Sequence, residues 1–176
     1  QDSAVCPLTA SSGAQPISGA IIGISPEETT YDGTAKKLEY WGVNIGDRTT
    51  HQWLSVNKDY TISYKDNVNA GMAKAIFTGS GNYTGTVEET FTIKPQSIED
   101  AQVTLAQDSL VYTGGELKPE VTSVTVNNKK LTAGSDYTLA YTDNRNAGTE
   151  AKVTVTGCGN YSGSVSETFC ITGGTL

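Results

Sequence analysis

The residues best suited to ligand chemistry lie in one short stretch of the first half of the chain. Both tryptophans, Trp41 and Trp53, occur there together with Tyr40, Gln52 and the only histidine, His51. Aromatic rings flanked by hydrogen-bonding side chains suit the binding of a sugar or the energetic centre of a protein interface. The stretch therefore predicts a ligand-binding face formed by these five residues.

Two clusters rich in side-chain oxygens form a second candidate site. Their members are Asp66, Asn67 and Asn69 in the first cluster and Asp143, Asn144 and Asn146 in the second. Calcium takes six to eight oxygen ligands, so each cluster is a candidate calcium site, although one carboxylate per cluster is few. Asp and Asn followed by Gly are also typical of a tight turn. The turn is the favoured interpretation, and calcium is the alternative.

The remaining composition argues against most other kinds of chemistry. Nucleophilic or metal-assisted catalysis needs a base or ligands beside the reactive group, and His51 has no recognisable partners in the sequence. We therefore expect no enzyme activity and no cofactor. The chain has 12 basic and 19 acidic residues and a net charge of −7, which is unfavourable for nucleic acid. No apolar stretch is long enough to predict membrane insertion.

The three cysteines do not predict a disulfide framework. Cys158 and Cys170 flank a predicted hairpin, where six residues of strand would separate them by about 20 Å, which is far beyond disulfide reach. Cys6 could instead link to one of them or to a neighbouring molecule. Free thiols are the favoured state.

An internal repeat determines which elements position these residues. Residues 59–71, DYTISYKDNVNAG, match residues 136–148, DYTLAYTDNRNAG, at nine of 13 positions. Residues 78–93 match residues 156–171 at 11 of 16 positions. The chain therefore divides into a tail (1–16), a first repeat (17–95) and a second repeat (96–176), with residues 94–97 as a short connection.

The residues between the motifs predict strands throughout both repeats. Thr occurs 25 times, Gly 19 times and Tyr nine times, and these residues favour strands and tight turns. Period-two segments recur every eight to 12 residues. We expect an all-β protein made of two tandem immunoglobulin-like β-sandwich domains of about 75 residues each.

Comparison of the repeats predicts how the two tryptophans are placed. Trp41 aligns with Thr122 and lies two residues before Val43, so regular alternation would turn it into the sandwich core. Trp53 aligns with Lys130, which predicts an exposed position. An exposed Trp53 is the best candidate for ligand binding, and packing against its own sandwich or a neighbouring domain is the alternative.

The motif set resembles a known group of repeats. It consists of Tyr-Asp-Gly, Asp-Tyr-Thr-x-x-Tyr-x-x-Asn-x-Asn-Ala-Gly, Gly-x-Gly-Asn-Tyr-x-Gly and Thr-Phe-x-Ile, within residues 17–172. This pattern resembles tandem immunoglobulin-like repeats in surface proteins of anaerobic, mostly Gram-positive gut bacteria. The resemblance implies a β-sandwich in a secreted, cell-surface protein. It implies no biochemical activity, because such repeats mostly act as spacers.

Three functions are compatible with this sequence. The first is a non-catalytic cell-surface segment that serves as a spacer or in adhesion, beside other domains of a larger protein. The second is a binding module whose aromatic residues take a host or plant glycan or a surface protein. The third is a self-assembling subunit, in which the N-terminal tail adds a strand to the sheet edge of a neighbour.

Overall fold

The protein is all-β in a computed structural model that describes residues 13–25, 28–47 and 49–174. These residues form seventeen strands and no helix. No helix that could cross a membrane occurs in this part of the chain. The expected fold class is therefore confirmed at the level of an all-β protein.

Many of the strands are short, and the longest ones carry the repeated motifs. The first eight are β1 (Gln15–Pro16), β2 (Ile21–Ile24), β3 (Thr29–Thr30), β4 (Tyr40–Asn44), β5 (Tyr60–Lys65), β6 (Gly71–Gly79), β7 (Tyr83–Thr84) and β8 (Thr86–Lys94). The other nine are β9 (Gln96–Ser97), β10 (Gln102–Leu105), β11 (Ser109–Val111), β12 (Val121–Val126), β13 (Lys129–Lys130), β14 (Tyr137–Thr142), β15 (Gly148–Gly157), β16 (Tyr161–Ser162) and β17 (Ser164–Thr172).

The chain divides into two compact units that do not follow the repeat boundary at every point. Unit 1 contains the described part of Gln1–Glu28 together with Ala35–Asn67 and Met72–Thr92. Unit 2 contains Thr29–Thr34, Val68–Gly71 and Ile93–Leu176. Two short segments that precede the second repeat in sequence therefore belong to unit 2.

The core of unit 1 lies between the β2–β4 pair and the β5–β6 pair. On β6 the side chains alternate, so that Ala73, Ala75 and Phe77 are buried while their neighbours face outward. Phe77 is fully buried together with Ile17 and Val43. This burial of apolar surface is the main favourable contribution to the stability of the unit.

Unit 2 has a core of the same kind. Its sheets have the strand orders β10-β12-β13 and β11-β17-β15-β14. Val124 on β12, Val153 and Val155 on β15 and Ile171 on β17 are almost completely buried. The order β11-β17-β15-β14 matches the order β3-β8-β6-β5, as the sequence repeat requires.

The entry into each repeat has the same backbone pairing. Gln15 and Pro16, which the repeat comparison assigns to the tail, form β1 and pair in parallel with β7. The connection residues Gln96 and Ser97 form β9 and pair in the same way with β16. Residues 1–12, which include the rest of the predicted tail, lie outside the described residues.

In each repeat, the side-chain amide of an asparagine holds a loop that comes earlier in the chain. Asn144 donates from Nδ2 to the carbonyl oxygen of Leu117 at 2.9 Å and accepts the Leu117 N–H on its own carbonyl at 2.8 Å. The hydroxyl of Tyr141 donates to the carbonyl of Pro119 at 2.7 Å. Asn67 forms the equivalent reciprocal pair with Lys36. Asn144 is buried, so its hydrogen bonds are needed to offset desolvation.

We expect Asn144→Ala to lower the free energy of unfolding by about 1–2 kcal/mol, because Leu117 then loses a buried donor. Urea denaturation followed by circular dichroism measures the change. Thr142→Ala, at an exposed strand position, is the matched control and should shift stability by less than about 0.5 kcal/mol. Equal effects of the two substitutions would contradict this role for Asn144.

Candidate functional site

A β-bulge on β4 sets the direction of Trp41. β2 and β4 are antiparallel; Gly23 lies opposite Gly42, but Ile24 lies opposite Tyr40. Trp41 is therefore an extra residue on β4 without a partner on β2. A bulge of this kind interrupts the alternation of side chains and redirects the residues beside it.

The bulge shifts the alternation along β4, so that Tyr40 faces the core and Trp41 faces outward. Tyr40 packs edge-on against Phe77, with ring centroids 5.3 Å apart, and its hydroxyl lies 2.9 Å from the Tyr60 hydroxyl. Burial, followed by this hydrogen bond, raises the pKa of Tyr60. Trp41 is 70% exposed. The prediction that Trp41 packs in the core is wrong, because the bulge separates it from the face that carries Val43.

Both indole rings lie on glycines. A β-carbon at Gly23 would come within 2.2 Å of the Trp41 ring, and a β-carbon at Gly42 would come within 2.7 Å of the Trp53 ring. No side chain can occupy either position while the rings stay where they are. Because Gly23 and Gly42 are paired across β2 and β4, the two rings lie next to each other on the sheet.

Trp41, Trp53 and His51 form a continuous aromatic face. The two indoles are tilted, with ring centroids 5.5 Å apart. The imidazole of His51 stacks on Trp53 at a centroid distance of 5.9 Å and an interplanar angle of 16°. Trp53 remains 49% exposed. Three of the five predicted site residues are thus brought together, in unit 1.

The other two predicted residues have different roles. Tyr40 faces the core, as described above. Gln52 donates from Nε2 to the Tyr83 hydroxyl at 2.9 Å, and it does not line the concavity beside the tryptophans. The structure therefore does not place Tyr40 or Gln52 on the aromatic face.

Two polar residues that the sequence patterns do not single out complete the site. Asn44 is buried, and its Oδ1 accepts the backbone N–H groups of Gly46 at 2.8 Å and Gln52 at 2.9 Å. These bonds hold the loop after β4 beside the sheet. Asn44 and Asp47 also line a concavity of about 210 Å³ together with the aromatic face.

Asp47 organises the tip of this loop. One of its carboxylate oxygens accepts the hydroxyl and backbone N–H of Thr49, at 2.7 and 2.8 Å. The same oxygen accepts the hydroxyl and N–H of Thr50, at 2.8 and 2.6 Å. These bonds, of which the one from the Thr49 hydroxyl contributes most, hold the pKa of Asp47 well below its usual range.

The second repeat has the same backbone without the aromatic side chains. On β10 and β12, Thr104 lies opposite Ser123 and Leu105 lies opposite Val121, so Thr122 is an extra residue like Trp41. Thr104 and Ser123 occupy the positions that correspond to Gly23 and Gly42. The bulge is therefore common to both repeats, whereas the glycines and tryptophans occur only in the first.

The oxygen-rich clusters have the geometry of turns. Asp66 and Asp143 have positive φ angles of 56° and 54°, which Asp adopts more readily than most residues. Asn67 and Asn144 use their side-chain amides on backbone carbonyls. Asn69 and Asn146 are exposed. Within the described residues no group of three or more His, Cys, Asp or Glu side chains is arranged to hold a metal.

The two cysteines in the described part of the chain do not belong to the aromatic face. Cys158 and Cys170 are both free thiols. The thiol of Cys158 lies 3.4 Å from the carbonyl oxygen of Ser135. Cys6, for which a link to another thiol is the alternative, lies outside the described residues.

The sequence matches no protein-family model and has no significant similarity to any curated protein.

We expect Gly23→Ala to displace the Trp41 ring, because the new methyl group would occupy its volume. The fold should survive, since Trp41 is exposed and free to move outward. The measurement is the position of the Trp41 indole N–H signal in an NMR spectrum. Gly19→Ala is the control, because nothing lies within 4 Å of a β-carbon there. An indole signal that is unchanged in Gly23→Ala would refute the seating of the ring on Gly23.

We expect the loop of Asp47 to keep its hydrogen bonds at pH values where an ordinary Asp is protonated. The folded-state pKa is depressed, so the stabilisation is present above the unfolded pKa of about 3.9 and is lost only as pH falls below it. The backbone amide signals of Thr49 and Thr50 in an NMR titration should move with a midpoint clearly below that pH. A midpoint near pH 4 would contradict the assignment, and Asp47→Asn should abolish the transition.

Proposed function

We propose that the chain is a non-catalytic module of a bacterial cell surface that serves in adhesion, and that its first repeat binds a glycan through the aromatic face. The observation that supports this most directly is the pair of tryptophans seated on Gly23 and Gly42 and left exposed. The module also serves as a structural segment, which is the simplest function of tandem β-domains.

The exposure of the tryptophans argues for binding beyond a spacer role. Exposed apolar side chains that form one patch mark interaction sites in soluble proteins. The second repeat shows that this sheet surface folds with Thr122 and Lys130 in place of Trp41 and Trp53. Stability of the fold therefore does not require tryptophan at either position. Ligand binding accounts for the presence of tryptophan at both.

A sugar fits the shape and chemistry of this face better than a large apolar molecule does. The concavity of about 210 Å³ is smaller than the roughly 300–1,000 Å³ of sites that enclose a drug-sized ligand. It suits one pyranose ring that lies flat against an indole. Asp47 and His51 line the concavity, and their polar groups can bond to hydroxyl groups of a sugar.

The surface location and the immunoglobulin-like identity of the two repeats belong to this proposal. The immunoglobulin-like identity is supported by the repeated motifs, the all-β fold and the matching strand orders β3-β8-β6-β5 and β11-β17-β15-β14. The surface location is proposed from the resemblance of the repeated motifs alone. The absence of catalysis is supported by the position of the only histidine, whose ring stacks on Trp53. A stacked imidazole of this kind extends a binding surface.

We expect saturable binding of the full chain to at least one member of a panel of mucin and plant-wall glycans, followed by tryptophan fluorescence and calorimetry. Trp53→Ala should weaken that binding by at least about tenfold, equivalent to 1.4 kcal/mol. Met72→Ala is the matched control, because Met72 is a large apolar side chain with similar exposure, 64%, outside the face.

The possible outcomes separate the functions. Binding that is lost in Trp53→Ala and retained in Met72→Ala supports the glycan-binding face. A panel without a saturable ligand contradicts the glycan part of the proposal, and binding that persists in Trp53→Ala contradicts the assigned site. Capture of a protein partner through Trp53 would identify the face as a protein interface instead.

A further inference from the structure

The Gly-Asn-Tyr turn of the second repeat, Gly159–Ser162, is covered within unit 2. Tyr161 is only 3% exposed and packs edge-on against Tyr31, with ring centroids 5.6 Å apart and an interplanar angle of 83°. The ammonium group of Lys129 lies 5.3 Å from the centre of the Tyr31 ring and 5.7 Å from that of Tyr161. Tyr31 is itself only 9% exposed.

The asparagine of the same turn makes specific polar contacts. Asn160 accepts the backbone N–H of Ala70 on Oδ1 at 2.8 Å and donates from Nδ2 to Oδ1 of Asn69 at 3.1 Å. The turn is therefore held by two kinds of contact. Its tyrosine packs against a tyrosine ring, and its asparagine forms hydrogen bonds with an Asn-Ala pair.

Both sides of this contact occur a second time in the chain. The turn recurs as Gly81–Thr84, which pairs in parallel with β1 as Gly159–Ser162 pairs with β9. The receiving tyrosine recurs as Tyr112, and the Asn-Ala pair recurs as Asn146 and Ala147. Tyr112 donates its N–H to the Thr172 carbonyl at 2.9 Å, as Tyr31 does to the Lys94 carbonyl at 2.8 Å.

Within the described residues, the recurring turn and the recurring Tyr112 and Asn-Ala pair are more exposed than the first turn and the tyrosine it packs against. Tyr112 is 44% exposed, in contrast to Tyr31. Asn82, Asn146 and Ala147 are exposed, and Tyr83 is half-buried. Gln52 takes the place of Lys129 and donates to the Tyr83 hydroxyl. In the part of the chain that the structure describes, the turn in unit 1 and the receiving patch in unit 2 therefore have no such cover.

We propose that the free turn of one copy, Gly81–Thr84, docks onto the receiving patch of a second copy, formed by Tyr112, Asn146 and Ala147. The docked turn would repeat the contacts of Gly159–Ser162, with Asn82 on the Asn-Ala pair and Tyr83 against Tyr112. Because the two surfaces differ, the contact is heterologous and extends copies from head to tail. It is independent of the aromatic face and of glycan binding.

Two properties of such an assembly follow from the structure. The contact uses few side chains, so free chains should associate only weakly, as is usual for interfaces well below standard size. Its central groups are uncharged, whereas each copy carries a net charge of −7. Screening of that repulsion by salt should strengthen the association.

The test is sedimentation velocity under reducing conditions up to about 1 mM protein, a concentration that populates contacts with a millimolar Kd. The wild type should sediment faster as concentration rises, and more so at high salt. Tyr112→Ala should remove the receiving patch and Asn82→Ala should weaken the turn, so each variant alone should remain a monomer. A mixture of the two should form dimers and nothing larger, because each variant retains one intact surface.

Leu139→Ala, an exposed apolar position outside both surfaces, is the matched control and should associate like the wild type. NMR spectra of each variant establish that it is folded. A wild type that stays monomeric at every concentration overturns the proposal. So does association of either single variant alone at the wild-type level, or a mixture that forms no dimer.

Discussion

The pairing of β2 with β4 is the constraint on which the aromatic face depends. One extra residue on β4 places Tyr40 in the core and Trp41 on the outer surface. The two glycines opposite each other on these strands leave room for both rings, and Asn44 holds the following loop, which carries His51, close to the sheet. A change in this register would move Gly23 away from the Trp41 ring, and the position beneath that ring would then carry a side chain.

The second repeat acts as an internal reference for interpreting the first. It retains the bulge, the Asn-mediated loop attachment and the Gly-Asn-Tyr turn, so these features belong to the common scaffold. The glycine pair and the tryptophans occur in one repeat only and therefore belong to a specialised surface. The same comparison distinguishes a covered turn from an exposed one, which a single domain could not have done.

The strands were largely predictable from the sequence, because period-two alternation and Gly-rich turns are local signals. The repeated segments 59–71 and 78–93 carry β5 and most of β8, and their counterparts 136–148 and 156–171 carry β14 and most of β17. The immunoglobulin-like assignment stays a prediction. The turn interpretation of the Asp and Asn clusters also rested on local chemistry, and Asp66 and Asp143 have the expected backbone angles.

The aromatic face was predictable only in part. The exposure of Trp53 followed from its alignment with Lys130, and the alignment of Trp41 with Thr122 carried the same information. The assumption of regular alternation hid that information, because an unpaired strand residue has no signature in one sequence. Asn44 and Asp47 were not predictable, since their roles depend on backbone groups that approach only in the folded loop.

The glycines beneath the tryptophans impose an order on how such a surface can arise. From a surface like that of the second repeat, Thr104 and Ser123 would have to lose their side chains before rings could lie flat there. Loss of the aromatic surface needs only one substitution in a tryptophan codon, and the sheet stays intact. Descendants of a duplicated repeat can therefore lose this surface more readily than they can acquire it.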